Sequence, residues 1–181
     1  MSRLSMYEQV LGQGYACLPS AVQRFHRLSG HTVLHGWVET QAPATILARA
    51  LAVCLGAPRD SSRGPLRFEL TSGIAKETWT RHFPTRTMTS CMRLVAGQVE
   101  ERLGSARLTF NLVATESRLS MRLVKMRFFG VPCPTWMMPR IVAEERGADD
   151  QLHFHITAEL PFVGMVASYR GHLDIHLKEP A

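Results

Sequence analysis

The sequence predicts an α+β fold that is mainly antiparallel β, with one large curled sheet forming a half-barrel or a lipocalin-like barrel of about eight to ten strands. Apolar and polar residues alternate through most of residues 66–177, which is the period of half-buried strands. Short turns link these runs and no helical stretch separates them, which excludes the crossovers of a parallel sheet. Two helical segments, residues 5–28 and 43–55, supply two or three helices that pack on or into the sheet. The 181 residues are expected to form a single domain, residues 1–181.

The helical segments carry start and stop signals. Ser5 and Glu8 have the spacing of a capping box, and a second helix over Pro19–Arg27 has proline at its first position. After a strand at Thr32–Glu39, the run Pro43–Leu55 places apolar residues at three- and four-residue spacing, and a glycine follows it. Because this third helix has a single charged residue, we expect it to be largely covered.

The strand region follows a loop, Ala57–Pro65, that we expect to be exposed. The alternation changes phase at Leu123–Val124, which predicts a β-bulge that bends the strand. Gln151–Leu160 is the most regular strand and Met165–Leu177 is the last one. The tail Lys178–Ala181 is expected to fray.

One connector, Arg127–Arg140, is too apolar for an ordinary solvated loop and too rich in proline for a helix or a central strand. Pro132 and Pro134 forbid continued strand pairing, while Trp136 and the methionines that follow it need cover. We predict a flap or short helical turn over one open end of the sheet. It is either a lid on a pocket or a plug in a filled core.

The composition bounds the function. A net charge of +6 and an isoelectric point of about 9.6 favour anionic partners. The arginines are spread along the chain without interleaved aromatic residues, so nucleic acid is not expected as a partner. No apolar run reaches the roughly 18 residues of a membrane span and no secretory signal is visible, so we expect a cytoplasmic protein without a transmembrane segment. The four cysteines lack metal spacing and are expected to be free thiols, and the absence of dinucleotide and phosphate-loop fingerprints predicts no cofactor.

The ligand-binding candidates are aromatic residues and methionines near arginines. Arg81 shares a strand face with Trp79, and an arginine among aromatic rings can receive a carboxylate or phosphate while the rings hold an apolar ligand. The alternative is an arginine whose stem lies on the sheet and whose head faces water. The candidate set is Trp79, Arg81, Phe83, Met121, Trp136, Tyr169 and Arg170. Further methionines would make an adaptable wall: Met88, Met92, Met126, Met137 and Met138. No catalytic residue is assigned, because the acidic doublets at residues 100–101 and 144–145 have no partner identifiable from spacing.

No bound metal is predicted, and the one candidate set for a metal site lies on the last hairpin. If Val163-Gly164 is a two-residue turn, the strands bring together two facing pairs: His155 with His172, and His153 with Asp174. Such a set could bind zinc. The alternative is a solvated outer face, since the opposite face of both strands is apolar. His26, next to Phe25 on the second helix, is expected to be solvated or to cap that helix.

Four segments together resemble a bacterial family of domains of unknown function, DUF4166. In order they are MYEQVLGQGYACLPSAVQRFH, ETWTRHF, GVPCPTW and LPFVGMVASYRGHLDI, and the resemblance spans about residues 4–177. Members stand alone or follow a saccharopine-dehydrogenase-like NAD(P)-binding domain, which implies a ligand-binding or substrate-presenting module beside redox chemistry. The positions that the resemblance highlights are Leu18-Pro19, Trp79, Arg81, Phe83, Gly130, Pro132, Pro134 and Tyr169-Arg170-Gly171.

Three functions compete at this point. The first is a non-catalytic binding module that holds a hydrophobic small molecule, neutral or anionic, such as a lipid or polyketide-like compound, in the curved sheet. The second is an accessory domain that docks on an NAD(P)-dependent oxidoreductase through an exposed patch of the connector. The third is an enzyme that acts on such a hydrophobic molecule, which requires at least two of the polar candidates in one pocket.

Overall fold

A computed structural model describes residues 4–175, and ten antiparallel strands close into a barrel. The strands follow one another around the barrel in the order β6-β5-β4-β3-β2-β1-β11-β10-β9-β7, and β7 pairs with β6 to complete the circle, while the two-residue strand β8 lies outside it. The helices are α1 Met6–Leu11, α2 Ser20–His26 and α3 Ile46–Leu55. The strands are β1 Gly30–Gln41, β2 Ser62–Ser72, β3 Lys76–His82, β4 Thr87–Val95, β5 Gln98–Leu103, β6 Ala106–Ala114, β7 Leu119–Phe128, β8 Val131–Pro132, β9 Arg140–Ala148, β10 Gln151–Leu160 and β11 Gly164–Asp174. The predicted fold class is confirmed, in its closed form.

The predicted bulge is confirmed and helps to close the barrel. In the β6–β7 pair, Thr109 lies opposite Lys125 while Phe110 lies opposite Leu123, so Val124 is the extra residue. A bulge increases the local bend and twist of a strand. β7 can therefore pair with β6 along its length and also with β9 near its start.

The two N-terminal helices close one end of the barrel, which we call the plugged end. The capping box is confirmed: the Glu8 amide donates to Ser5 Oγ at 3.2 Å and the Ser5 amide donates to the Glu8 carboxylate at 2.7 Å. Helix α2 begins at Ser20 rather than at the proline before it. Tyr7, Val22 and Phe25 are fully buried and point into the barrel.

Helix α3 lies at the opposite end, which we call the mouth. Thr45 caps its start by accepting from the Ala48 amide, and Gly56 ends it in the left-handed conformation at φ 71°. The expectation that α3 is largely covered is wrong. Only the narrow side with Ala48 and Ala52 packs down, so larger apolar residues on its other sides remain exposed.

The connector also lies at the mouth. It forms β8 and then one 3-10 turn, Thr135–Met137, so the predicted helical turn is confirmed. Trp136 is 67% exposed, which excludes the plug in a filled core. Pro139, at the end of the connector, is buried.

Two other boundaries differ from expectation. The predicted exposed loop Ala57–Pro65 is only partly a loop, because β2 already begins at Ser62 and both Ala57 and Pro58 are buried beneath the mouth. The last strand is observed as Gly164–Asp174, and the predicted end of that strand and the tail lie outside the described residues. Within residues 4–175, no helix combines the length and apolar character that crossing a bilayer requires.

Candidate functional site

A cavity of about 110 Å³ lies inside the barrel, toward the mouth. Its wall is mostly apolar, and four of the predicted methionines contribute to it: Met88, Met92, Met121 and Met126. At the mouth it is bounded by Leu55 and Ala57 after α3, by Pro139 of the connector and by Leu160. Methionine side chains are flexible, so this wall can adapt to the shape of a guest.

Arg81 is the cation of this cavity. The alternation of β3 turns Glu77, Trp79 and Arg81 into the barrel, and Arg81 is only 7% exposed. Its guanidinium donates to Ser90 Oγ at 3.1 Å, and its central carbon lies 5.1 Å from the Trp79 ring centroid. Among the described residues no carboxylate lies within ion-pair distance of it. A guanidinium that faces a cavity and, among the described residues, has a single side-chain hydrogen bond can receive an acceptor group from a ligand.

Glu101 lines the same cavity without contacting Arg81. It is half-buried, and within residues 4–175 no hydrogen bond or ion pair holds its carboxylate. Glu145, whose carboxylate is held by His26, also lines this cavity, and among the described residues no ion pair joins Arg81 to either acid. An acidic ligand on Arg81 would meet repulsion from Glu101, which makes this residue a determinant of ligand charge.

A second polar cluster closes the floor of the barrel at the plugged end. His26 Nε2 and Glu145 Oε2 are 2.6 Å apart, and the Tyr7 ring stacks on the imidazole with 3.6 Å between ring centroids. The Tyr7 hydroxyl donates to Met92 Sδ at 3.4 Å, and burial raises the pKa of Tyr7 well above its usual range. The expectation of a solvated or capping His26 is wrong, because α2 turns this side chain inward, where it is 2% exposed.

Glu77 is the second buried acid of the described residues, beside Glu145. It accepts from the Trp79 indole nitrogen at 2.9 Å and from Ser72 Oγ at 3.3 Å. Burial raises its pKa above the ordinary value of 4.5, and the negative charge of Glu145 acts in the same direction. His26 and the two hydrogen bonds oppose this shift without cancelling it.

Replacing Glu77 with glutamine should increase the free energy of unfolding at neutral pH. With the pKa raised in the folded state, the native protein binds more protons than the unfolded chain between the ordinary pKa and the raised one. The free energy of unfolding therefore falls as pH rises through this window, and Glu77 is destabilising above it. Glutamine keeps an acceptor for the Trp79 indole and carries no charge. Urea denaturation at about pH 5 and about pH 8 should show the advantage of Glu77→Gln growing with pH.

The matched control is Glu100→Gln, on the outer wall, where the half-exposed Arg93 pairs with Glu100 at 2.7 Å. That variant should change stability by less than about 1 kcal/mol. A Glu77→Gln protein that is less stable than the wild type at both pH values would contradict the prediction.

The structure brings together four of the seven predicted ligand-binding residues in the cavity wall: Trp79, Arg81, Met121 and Tyr169. Burial raises the pKa of Tyr169, while the nearby charge of Arg81 lowers it. Phe83 lies just outside the cavity wall, with its ring 5.2 Å from that of Tyr169. The remaining two stand apart from the cavity.

Trp136 and Arg170 do not line the cavity. Trp136 is on the surface of the connector, because the two prolines before it hold the chain away from the sheet. Arg170 follows Tyr169 on β11 and therefore points outward, where it pairs with Glu39 at 2.8 Å. Their role as ligand contacts remains a prediction without support from the geometry. Of the methionines, Met137 and Met138 are likewise outside the cavity wall.

The candidate metal site of the last hairpin is not formed. The β10–β11 turn spans three residues, so Leu160 pairs with Gly164, and a register shift at Ala158/Glu159 follows. The observed cross-strand pairs on this hairpin are His153 with His172, His155 with Arg170, and Gln151 with Asp174. Within residues 4–175 no group of three or more histidine, cysteine or acidic side chains has a geometry that could hold a metal ion.

These histidines border a broad open groove of about 670 Å³ on the outer wall. Its charged residues are already paired with one another, Arg63 with Glu39 and Arg146 with Glu144 at 3.0 Å. The groove is much larger than the interior cavity, but its charges are satisfied and in solvent. The buried arginine that has no carboxylate partner among the described residues, Arg81, lies inside the barrel.

Sequence reasoning did not place four polar residues in the interior. Glu77 was not singled out, Glu101 and Glu145 were named in acidic doublets without a partner, and His26 was expected to be solvated or to cap its helix. The inward position of Glu77 could have been predicted, because residues 77, 79 and 81 are two apart on one strand and therefore share a face. Glu145 and His26 are 119 positions apart, and no local pattern pairs them.

Comparisons with known proteins are consistent with a family without assigned activity. A family model described as Domain of unknown function (DUF4166) matches residues 18–173. A comparison with curated proteins finds no match. Among solved structures, the chain is similar to the crystal structure of Rv2717c from M. tuberculosis, with 12% sequence identity, coverage of 88% of this chain and 99% of the other, and a TM-score of 0.47.

Proposed function

Because the chain belongs to the DUF4166 family of domains of unknown function, its function has to be argued from its own residues, and we propose that it binds a hydrophobic small molecule with an acidic head group inside the barrel. The observation that carries the proposal is the buried Arg81 guanidinium, which faces an apolar cavity without a carboxylate partner among residues 4–175. Desolvating a charge without a partner is costly in free energy. A ligand carboxylate on Arg81 would offset this cost, while the methionines and aromatic rings would hold its carbon chain.

The size of the cavity limits the ligand. At about 110 Å³ it is smaller than the cavity of about 150 Å³ that takes up benzene in an engineered protein. A short or medium-chain carboxylate fits best, and a longer fatty acid or polyketide-like acid would have to displace methionine side chains or extend through the mouth. The cavity volume therefore favours a ligand whose acidic head group and first carbon atoms are enclosed in the barrel.

Calorimetric titration with butanoate, hexanoate and octanoate, each beside the alcohol of equal chain length, tests the proposal. We expect the carboxylates to bind more tightly than the alcohols, because only a carboxylate meets the Arg81 charge. The affinity for the carboxylates should rise with chain length as long as the methionine side chains can move aside, and should then level off. Equal binding of acids and alcohols, or binding of neither, would contradict the proposal.

Replacing Glu101 with glutamine should strengthen carboxylate binding. Its negative charge lines the same cavity as Arg81 and repels an acidic head group. At the effective dielectric of a partly buried site, removing this repulsion is worth about 1 kcal/mol, or roughly a fivefold gain in octanoate affinity. The octanol titration serves as the control and should not change. A gain of equal size for octanol would assign the effect to shape rather than charge.

Binding fits the geometry better than catalysis does. Among the described residues, Arg81 hydrogen-bonds to Ser90. Of the other polar candidates for catalysis, Tyr169 lines the same cavity without a hydrogen bond to Arg81, whereas Glu100 and the hairpin histidines stand on the outer wall. Glu145 is held by His26 in the floor.

Docking on an NAD(P)-dependent oxidoreductase is the alternative proposal. The observation that favours it is the exposure of Val131, Trp136 and Met137 on the connector, with Met138 half-buried beside them. Exposed apolar side chains fit either a protein or a lipid surface. The arginine-rich surroundings of these residues favour the lipid surface.

A further inference from the structure

The mouth of the barrel is surrounded by exposed apolar side chains. Large aromatic and aliphatic groups extend into solvent there, where a monomeric protein ordinarily presents polar ones. Their exposed fractions are 96% for Phe162, 89% for Ile46, 71% for Phe129, 67% for Trp136, 66% for Val131 and 57% for Leu47.

Hydrogen bonds between backbone segments show that these side chains belong to one surface. Thr45 Oγ1 donates to the Val163 carbonyl at 3.1 Å, which joins the start of α3 to the β10–β11 turn. The Ser105 amide donates to the Cys54 carbonyl at 3.1 Å, which joins the end of α3 to the β5–β6 turn. The Phe129 amide donates to the Ser105 carbonyl at 3.0 Å, which joins the connector to that same turn. We call the surface formed by residues 43–58, 83–87, 103–107, 126–141 and 159–165 the mouth rim.

The charge of the mouth rim is mainly positive. It contains five arginines and one acid: Arg49, Arg86, Arg107, Arg127, Arg140 and Glu159. No acidic residue occurs between Glu39 and Asp60, or between Glu116 and Glu144. The plugged end carries charges of both signs, and Arg24 pairs there with Asp150 and Arg27 with Glu8. An excess of basic over acidic side chains therefore distinguishes the mouth rim from the plugged end.

We propose that the mouth rim docks on an anionic lipid bilayer. Aromatic side chains favour the interface between lipid headgroups and acyl chains, and arginines at this depth meet anionic headgroups. Apolar area and basic charge act together in such binding. A protein partner would have to supply acids around a ring of apolar pockets, whereas an anionic bilayer offers both features on any part of its surface.

The physiological sense of this docking rests on the proposed function, because a hydrophobic acid could pass between bilayer and cavity without crossing water. Docking itself requires no ligand. Arg81 is buried and does not belong to the docking surface. The two proposals can therefore fail separately.

Cosedimentation with large vesicles tests the docking. One set consists of phosphatidylcholine alone and the other of phosphatidylcholine and phosphatidylglycerol in equal parts. The wild type should sediment with the anionic vesicles, and high salt should weaken this binding. The double variant Phe129→Ser/Phe162→Ser should lose about tenfold or more in vesicle affinity. Both side chains are exposed, so folding should not suffer.

The matched control is Ile74→Ser/Val95→Ser, which removes two exposed apolar side chains at the plugged end, 51% and 41% exposed. It should bind vesicles as the wild type does, and so should Arg81→Met. No binding of the wild type to anionic vesicles, or an equal loss in the rim and control variants, would overturn the proposal. A dimer in solution that Phe129→Ser/Phe162→Ser dissolves, without vesicle binding, would assign the rim to a second copy of the chain and would also overturn it. Vesicle binding that persists while octanoate fails to bind would leave the docking in place and reject the proposed ligand.

Discussion

Replacing Arg81 with methionine is expected to weaken octanoate binding about 10- to 100-fold while raising the free energy of unfolding by about 1–3 kcal/mol. The two effects have one cause. The guanidinium is 7% exposed and has no carboxylate partner among residues 4–175. The folded protein therefore carries the free-energy cost of desolvating this charge, and a bound ligand carboxylate would offset that cost. Methionine has a similar length, fills the same space and needs no partner. Calorimetric titration and urea denaturation of the same preparation measure both quantities.

Arg170→Met is the matched control, because that arginine lies on the outer wall, exposed and paired with Glu39. It should leave octanoate affinity unchanged and stability within about 1 kcal/mol of the wild type. Unchanged octanoate affinity in Arg81→Met would reject Arg81 as the receptor. A large loss of stability would instead make the contact of Arg81 with the Trp79 ring a structural requirement of the core.

The barrel could be predicted because the alternation of apolar and polar residues along a strand shows that one of its faces is buried. β3 is the clearest case: its burial alternates residue by residue, as the sequence of the strand does. Closure could not be predicted, since a half-barrel and a full barrel bury the same strand faces. The phase slip at Val124 identified where the sheet bends, but which strand would complete the circle depends on the β6–β7 and β7–β9 pairings.

The pairing register of the strands was difficult to predict from the sequence, and the histidine hairpin shows why. The sequence placed a two-residue turn at Val163-Gly164, whereas the chain turns through three residues with Phe162 in the left-handed conformation at φ 65°. Phenylalanine is rarely found there, so turn statistics favour the wrong solution. The longer turn, with its register shift, changes which residues face each other across the hairpin, and this is enough to remove a metal site.

At both ends of the barrel, the observed burial of side chains differs from the burial that residue type alone predicts. Trp136 was expected to find cover on account of its residue type, and His26 was expected to be solvated or to cap its helix. Burial instead followed from where the helices and connector settle at the two ends of the barrel, which depends on contacts distant in sequence. The cavity residues on regular strands were predictable, whereas the residues that seal its ends were not.

The hydrogen-bonded pair of His26 and Glu145 lies buried in the floor of the barrel. Replacing His26 with leucine should lower the free energy of unfolding by about 3–5 kcal/mol, because it leaves the Glu145 carboxylate buried without its partner. Glu145→Leu should destabilise as well, since it leaves both nitrogens of a buried imidazole unsatisfied; His26 Nδ1 already has no partner among the described residues. The double variant His26→Leu/Glu145→Leu removes both polar groups and replaces them with apolar volume. Urea denaturation of the four proteins gives the coupling energy of the pair.

We expect the double variant to be more stable than the His26→Leu single variant, because replacing a whole buried pair costs far less than breaking it. Arg93→Met, which breaks the exposed pair with Glu100, is the control and should change stability by less than about 1 kcal/mol. Additive losses in the double variant would mean that the two side chains act by packing rather than through their hydrogen bond. The double variant also separates the floor from the mouth: since the rim is unaltered, it should still bind anionic vesicles, whereas its octanoate affinity should change only to the extent that the loss of the Glu145 charge relieves repulsion in the cavity.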